Sequence, residues 1–241
     1  VSSSLQCLAG GSAFLLCTGT FKGVGSLLRI SASYPPILCT ALSVTTLVSA
    51  SVLSAHTAEV VGQFRKRGVW ETSGQRPWYD VIGGITGPRG EHRQMAAKAA
   101  VGGFVLFHLL RGRTRMLLAS DVRYLGAFHR GRKGSLSASM EYADSRERGA
   151  IEALGRTFGC HSCGVKQSDG YHADHMPPRK VIAQRALVWK VLGLRNTQRF
   201  FPQCSACSNQ QASAVATDKA KYAYHWQHFR LCHLTGFLLP L

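Results

Sequence analysis

Apolar and small residues fill the first sixty positions of the chain almost without interruption. Between Val1 and Gly62 the only formally charged residues are Lys22, Arg29 and Glu59. Two stretches stand out. Leu5–Leu28 reads LQCLAGGSAFLLCTGTFKGVGSLL, diluted by glycines and by Lys22. The second starts after Tyr34-Pro35-Pro36 and carries no formal charge from Ile37 to Ala58. A helix of about 20 residues crosses the hydrocarbon of a bilayer, and the two prolines suit a helix start, where the missing N–H has no partner to lose. The pattern predicts a transmembrane helix over 36–58 and allows a second over 5–28. Thr40, Ala41, Ser43, Thr45, Thr46, Ser49, Ala50, Ser51 and Ser54 crowd the second stretch. Small side chains of this kind let helices approach closely in lipid, so a packed helix is expected.

The pattern then changes. Residues 68–95 are punctuated by Gly and Pro and read as loop. Residues 96–110 (AAKAAVGGFVLFHLL) read as a helix whose apolar run, Ala99–Leu110, is short for a span and suits a buried or interfacial position. Glu141–Gly155 is mixed-charge and helical. Apolar residues of Lys180–Leu194 recur at helical spacing, and Ala212–Leu234 is expected to be one helix with Tyr222, Trp226 and Phe229 along a stripe. No internal repeat is present.

Charge sharpens this division. The chain has 241 residues, 29 Lys and Arg against 12 Asp and Glu, and a net charge of +17. All but two of the basic residues follow Gly62. Arg65-Lys66-Arg67 flanks the second apolar stretch, and such clusters stay on the negatively charged side of a membrane; in a mitochondrion that is the matrix. Arg111, Arg113, Arg115, Arg123, Arg130, Arg132 and Lys133 form a basic segment, 111–133, suited to anionic lipid or to RNA. The chain opens on Val1 rather than methionine, as a processed or partial chain does, and lacks the charged start and cleavage pattern of a secretory signal. No phosphate loop, dinucleotide fingerprint or serine elbow is present, so no small-molecule substrate is evident.

Eight cysteines are present. Cys7, Cys17 and Cys39 sit in apolar stretches as small hydrophobes, and Cys232 stands alone. The other four form two Cys-x-x-Cys pairs, Cys160/Cys163 and Cys204/Cys207, a spacing that offers four thiolates to one tetrahedral zinc and suits a reducing compartment. Gly164 fits the tight turn after the first pair. Between the pairs lies Tyr171-His172-Ala173-Asp174-His175-Met176-Pro177. A cysteine pair, an Asp-His-x-Pro run and a second cysteine pair, in this order over about 160–215, resemble the zinc-bearing HNH endonuclease superfamily. The resemblance implies a ββα fold of treble-clef type. It also implies His175 as general base on water and Asp174 as ligand of Mg or another divalent cation. The chain departs from the family where it matters most: Ser208 follows the last cysteine, where His or Asn is usual, with Asn209 one place further on. The middle Asn of the pattern has only Asn196 as counterpart, and His172 is a substitute ligand. The alternative is that Asp174 and His175 tie the hairpin together by hydrogen bonds. His225, His228 and His233 read as ordinary surface or core histidines.

The expected fold class is mainly α: an N-terminal membrane helix or helical hairpin, a helical middle, and a C-terminal zinc-bound ββα module of HNH-like treble-clef type. The expected domains are a membrane anchor (1–62), a basic helical and loop linker (63–150) and a zinc domain with a C-terminal helix (151–241). The expected function is a membrane-anchored, zinc-binding accessory subunit of a large mitochondrial complex, such as a respiratory complex, ATP synthase or, less favoured, the mitoribosome. Other subunits of that complex are then its partners, in the inner membrane, with the zinc domain facing the matrix. The rival expectations are an HNH-type endonuclease and a zinc-dependent nucleic-acid-binding module.

Overall fold

The computed structural model of the chain describes residues 2–66, 89–183, 198–224 and 230–239. It is mainly helical and divides into two compact units. One, the helical unit, is made of Val1–Gly23, Ala41–Leu117 and Phe229–Leu241; the other, the cysteine unit, is made of Val24–Thr40 and Leu118–His228.

The helical unit contains most of α1 (Ser2–Leu27) and α2 (Pro36–Lys66), all of α3 (Arg89–Leu109), and the short α6 (Thr235–Leu238) near the chain end. α1 and α2 are antiparallel, since Gln6 near the start of α1 donates to the Ala58 carbonyl near the end of α2 at 3.2 Å. α3 is antiparallel to α2 in turn: Gly103 faces Ser51, while Met95, Lys98 and Ala99 share a cleft with Ala55. Glycines make these approaches possible. A Cβ on Gly11 would strike the Phe237 ring, one on Gly236 would strike Phe14, and one on Gly103 would strike Ser51. Phe14, Leu47, Ala50 and Phe107 form the buried apolar core of the unit. Ser43, Thr46, Ser51 and Ser54 are buried beside it, whereas Leu8, Leu16, Val44 and Leu53 are exposed. Three of these hydroxyls find acceptors at hand: Thr46 and Ser51 donate to the carbonyls one turn back, at 2.6 and 2.8 Å, and Ser54 donates to Gly236 O at 2.9 Å. Both α1 and α2 are long and apolar enough to cross a membrane.

The cysteine unit holds two small sheets. β1 (Ser120–Asp121) pairs with β5 (Tyr222–Ala223). In the second sheet β4 (Arg199–Cys204) runs between β2 (Leu136–Ser137) and β3 (Tyr171–Met176), all pairings being antiparallel. α4 (Ser145–Phe158) precedes β3, and α5 (Ser205–Thr217) follows β4 without a connecting loop. α4 starts at a capping box in which Asp144 accepts from Glu147 N–H at 2.7 Å and Glu147 accepts from Asp144 N–H at 2.9 Å. It stops at Gly159, whose φ of 83° is open to glycine at little cost. As the central strand, β4 is covered on both faces, so Phe200 to Cys204 are all buried. Ile151 of α4, Ala143 and Phe200 form the core on one face of the sheet.

The turn between α1 and α2 belongs to this second unit and is stitched to it. Ala32 N–H donates to Ala119 O at 2.9 Å, and Ser33 Oγ donates to Leu125 O. Tyr34 stacks on Tyr124 with ring centroids 4.8 Å apart, and Tyr224 donates to Ser26 Oγ at 2.8 Å.

Three sequence expectations need correction. The domain limits are not those that charge predicts: α2 continues to Lys66, α3 joins the helical unit, and residues 118–150 join the cysteine unit, because β1 pairs with β5 across a hundred residues. The helix expected over 212–234 ends at Thr217. Asp218 takes the left-handed conformation (φ 52°), and Tyr222 turns into β5 instead of lying on a helical stripe. The loop expected over 68–95 gives way to α3 at Arg89; its earlier part, most of the 180–194 helix and Trp226, Phe229, His225 and His228 lie outside the described residues.

Candidate metal centre

The four paired cysteines converge. Cys160 and Cys163 come from the turn after α4, Cys204 from the last position of β4, and Cys207 from the first turn of α5. Their sulfurs all lie within 4.8 Å of one another, and Cys163 Sγ is 3.7 Å from Cys204 Sγ. Zinc bound to thiolates at about 2.3 Å in a tetrahedron holds sulfurs about 3.8 Å apart, so the spacing suits a metal ion such as zinc and is far too long for a disulfide of about 2.05 Å.

Local chemistry shapes the turn. Gly164 N–H donates to Cys160 O and Cys160 N–H to Val165 O, both at 2.8 Å, with Gly164 at φ 79°. Gly126 lies so close behind the turn that a Cβ there would run into the His161 carbonyl and Ser162 Cα. His161 N–H donates to Pro202 O at 2.9 Å, and Ser120 Oγ donates to Ser162 O at 2.8 Å. The first cysteine pair is thereby clamped between β4 and the segment around β1. Burial opposes ionisation of the Cys160 thiol, but sulfur hydrogen bonds from Cys163, Cys204 and Cys207 and the nearby His161 hold it well below the usual thiol range. A thiolate is the form that binds a metal.

Asp174 and His175 do not meet. Adjacent residues on a strand point to opposite faces. Asp174 points toward α5 and the cysteine turn, where it accepts from His161 Nε2 at 3.0 Å and from Gln211 Nε2 at 3.1 Å. Gln211 also donates to Val122 O at 2.9 Å. His161 is completely buried, and its Nδ1 accepts from Gly126 N–H at 3.3 Å, which sets the proton on Nε2 facing the carboxylate. Burial pushes the Asp174 carboxyl up, against the pull of His161 and Gln211. Burial pulls His161 down, but the hydrogen bond and charge of Asp174 raise it on balance. His175 lies on the other face, its Nε2 bonded to Glu141 O at 2.9 Å and its ring 4.5 Å from Phe200.

The remaining nuclease candidates are scattered. Ser208 is half-buried and Asn209 is exposed on α5. His172 is exposed, with Nε2 3.2 Å from Ser205 Oγ. Asn196 lies outside the described residues. Among the described residues the cysteine quartet is the one cluster of three or more metal-ligating side chains. His161 and Gln211, which hold Asp174, were not singled out by sequence reasoning. Their signals were a ring inside a Cys-x-x-Cys and a glutamine one helical turn beyond Cys207.

No family model, curated protein or solved structure matches the chain.

Proposed function

We propose that the chain is a membrane-anchored structural subunit of a larger membrane complex, and that its cysteine unit is a zinc-bound ββα module of HNH type that has given up nuclease chemistry for shape. The observation that carries this reading is the burial of Asp174, whose carboxylate is taken up by His161 and Gln211 instead of being open to a cation, while Asn209 is exposed on α5. Phosphodiester hydrolysis of the HNH kind needs base and cation at one phosphate. Here the carboxylate serves to join the cysteine turn to α5, and the imidazole packs against Phe200. The order of turn, β3, β4 and α5 around four cysteines supports the ββα assignment. Zinc is the metal that best suits four thiolates in a closed, buried tetrahedron.

Support for the membrane comes from the length and apolar composition of α1 and α2 and from the exposed aliphatic surface of the helical unit. Leu8, Leu16, Val44 and Leu53 face outward, and the buried Thr46, Ser51 and Ser54 hydroxyls are bonded inside, an arrangement that suits hydrocarbon. The net charge of +17 supports a mitochondrial inner-membrane home, within a respiratory complex or ATP synthase before the mitoribosome. Exposed Arg130, Arg132 and Lys133 offer a contact for anionic lipid or RNA.

The test is two-sided. Extracted with mild detergent and run on a native gel, the protein should migrate with a large membrane complex. The purified chain should neither nick supercoiled plasmid nor cut RNA with Mg²⁺ or Mn²⁺. Metal-dependent cleavage that His175→Ala abolishes, with the cysteine-bound metal retained, would reverse the reading in favour of a nuclease.

A further inference from the structure

We infer that the cleft between α2, α3 and Leu239 is a phospholipid site, which takes an anionic headgroup at Gln94 and Lys98 and one acyl chain along Ala99 and Gly102. The inference rests on the membrane reading proposed above and goes beyond it by naming a ligand class and its seat.

The cleft lies wholly inside the helical unit and has a volume of about 460 Å³, within the range of about 300–1,000 Å³ usual for ligand sites. Small residues open it. α2 contributes Ala55, α3 contributes Ala99 and Gly102, and Leu239 forms a further wall. A Cβ on Gly102 would meet Leu239 only at 3.7 Å, an ordinary contact, so the backbone here is not closed over. One residue further on, a Cβ at Gly103 would strike Ser51, which places a close approach of α2 and α3 just beyond the cleft.

The lining is graded in polarity. Gln94 and Lys98, one helical turn apart and both exposed, supply an amide and an ammonium at one end; the remaining walls are apolar. The gradient has the direction a bilayer requires. Because α3 is antiparallel to α2, the path from Gln94 to Gly102 follows α2 from its charged end toward the uncharged stretch Ile37–Ala58. Ala55 stands about 6 Å along the helix from Glu59, the first charged residue past that stretch. Lys98 shares the cleft with Ala55, so its flexible stem brings the ammonium to headgroup level. Among the described residues Lys98 forms no ion pair. Glu59, the one acidic residue of α2, has a carboxylate oxygen engaged by Gln63 at 3.2 Å. Arg93, exposed on the same turn of α3 as Gln94, adds a second positive charge. Amide and ammonium donors suit phosphate oxygens, and the net positive charge favours a lipid that is itself anionic. Toward the apolar end, Val101 and Val105 continue the stripe of Gln94 and Lys98 at helical spacing and are 66% and 49% exposed, a surface for the acyl chain to follow.

The experiment uses the full chain in mixed micelles of a mild non-ionic detergent with equimolar phosphatidylglycerol and phosphatidylcholine of identical acyl chains, read by native mass spectrometry. One retained phospholipid per chain is expected, with phosphatidylglycerol preferred about fivefold, the scale of one basic residue at an anionic surface. Lys98→Gln should remove the preference and leave phosphatidylcholine retained, while Lys98→Arg should keep the preference. Gly102→Leu fills the cleft and should abolish retention of both lipids with the helical circular dichroism unchanged. Millimolar inorganic phosphate should displace neither lipid. Equal retention of the two lipids by the parent chain, displacement by inorganic phosphate, a preference that survives Lys98→Gln, or retention that survives Gly102→Leu would overturn the site and leave the membrane anchor standing. Release of the chain from phosphatidylcholine vesicles by alkaline carbonate would instead overturn the membrane reading itself, and the site with it.

Discussion

Cys160→Ser or Cys204→Ser abolishes metal binding and unfolds the cysteine unit, while α1, α2 and α3 keep their helical signal. The expectation follows from where the ligands come from. Cys160 and Cys163 sit in a turn of irregular backbone and Cys204 and Cys207 at a strand-to-helix junction, so a metal ion held by all four would join the two. Apparent binding free energies of structural zinc are about 10–16 kcal/mol, comparable with the whole stability of a domain at about 5–15 kcal/mol. A neutral serine hydroxyl replaces a thiolate poorly, and the three remaining cysteines would be left buried or half-buried without the ion that justifies their convergence. Amide hydrogen exchange reads the outcome directly. Protection in β3 and β4 should fall to that of an open chain, and the circular dichroism of the helical unit should persist. Full protection of β3 and β4 in a variant that holds no metal would show that hydrophobic packing, not the ion, sustains the unit.

The second large effect is at Asp174. Asp174→Ala should destabilise the metal-loaded cysteine unit by about 3–5 kcal/mol, the scale for removing one partner of a buried, hydrogen-bonded charge pair. His161 Nε2–H and one donor of Gln211 would be stranded in the interior, each at a cost of about 1–3 kcal/mol. For a unit of this size that is a fall in melting temperature of more than about 10 °C. Asp174→Asn keeps one acceptor oxygen and should lose less. His175→Ala removes a ring packed on Phe200 and a bond to Glu141 O, and should cost roughly 1–3 kcal/mol. Thermal unfolding of the three variants in detergent checks the order. A catalytic pair would behave differently, because groups held for chemistry are commonly removed without loss of stability. Asp174→Ala melting with the parent protein would contradict the structural role.

Much of this arrangement was legible before any coordinates. The cysteine pairs announced their quartet by spacing, because two residues between ligands is what a knuckle turn requires. The break in charge after Gly62 located the apolar helices, and the mixed-charge stretch Glu141–Gly155 pointed to α4. Other features depend on residues far apart in the chain. Asp174 is held by His161 and Gln211, 13 and 37 residues away, and neither belongs to a pattern with fixed spacing. β1 and β5 are two residues each, too short for alternation to register, and exist because Ser120 and Asp121 find Ala223 and Tyr222. That pairing also overrode the helical periodicity read through Tyr222. α3 was recognised as a helix, but its antiparallel course beside α2 is a matter of tertiary packing, set by Gly103 and Ser51.

The central claim is that one metal ion, held by Cys160, Cys163, Cys204 and Cys207, maintains a non-catalytic fold. Elemental analysis of the full chain, purified in detergent and kept reduced, tests it most directly. The account predicts one zinc per folded chain, absent from Cys204→Ser and removed from the parent protein by a strong chelator together with the hydrogen-exchange protection of β3 and β4. A folded, fully reduced chain that contains no metal would contradict it.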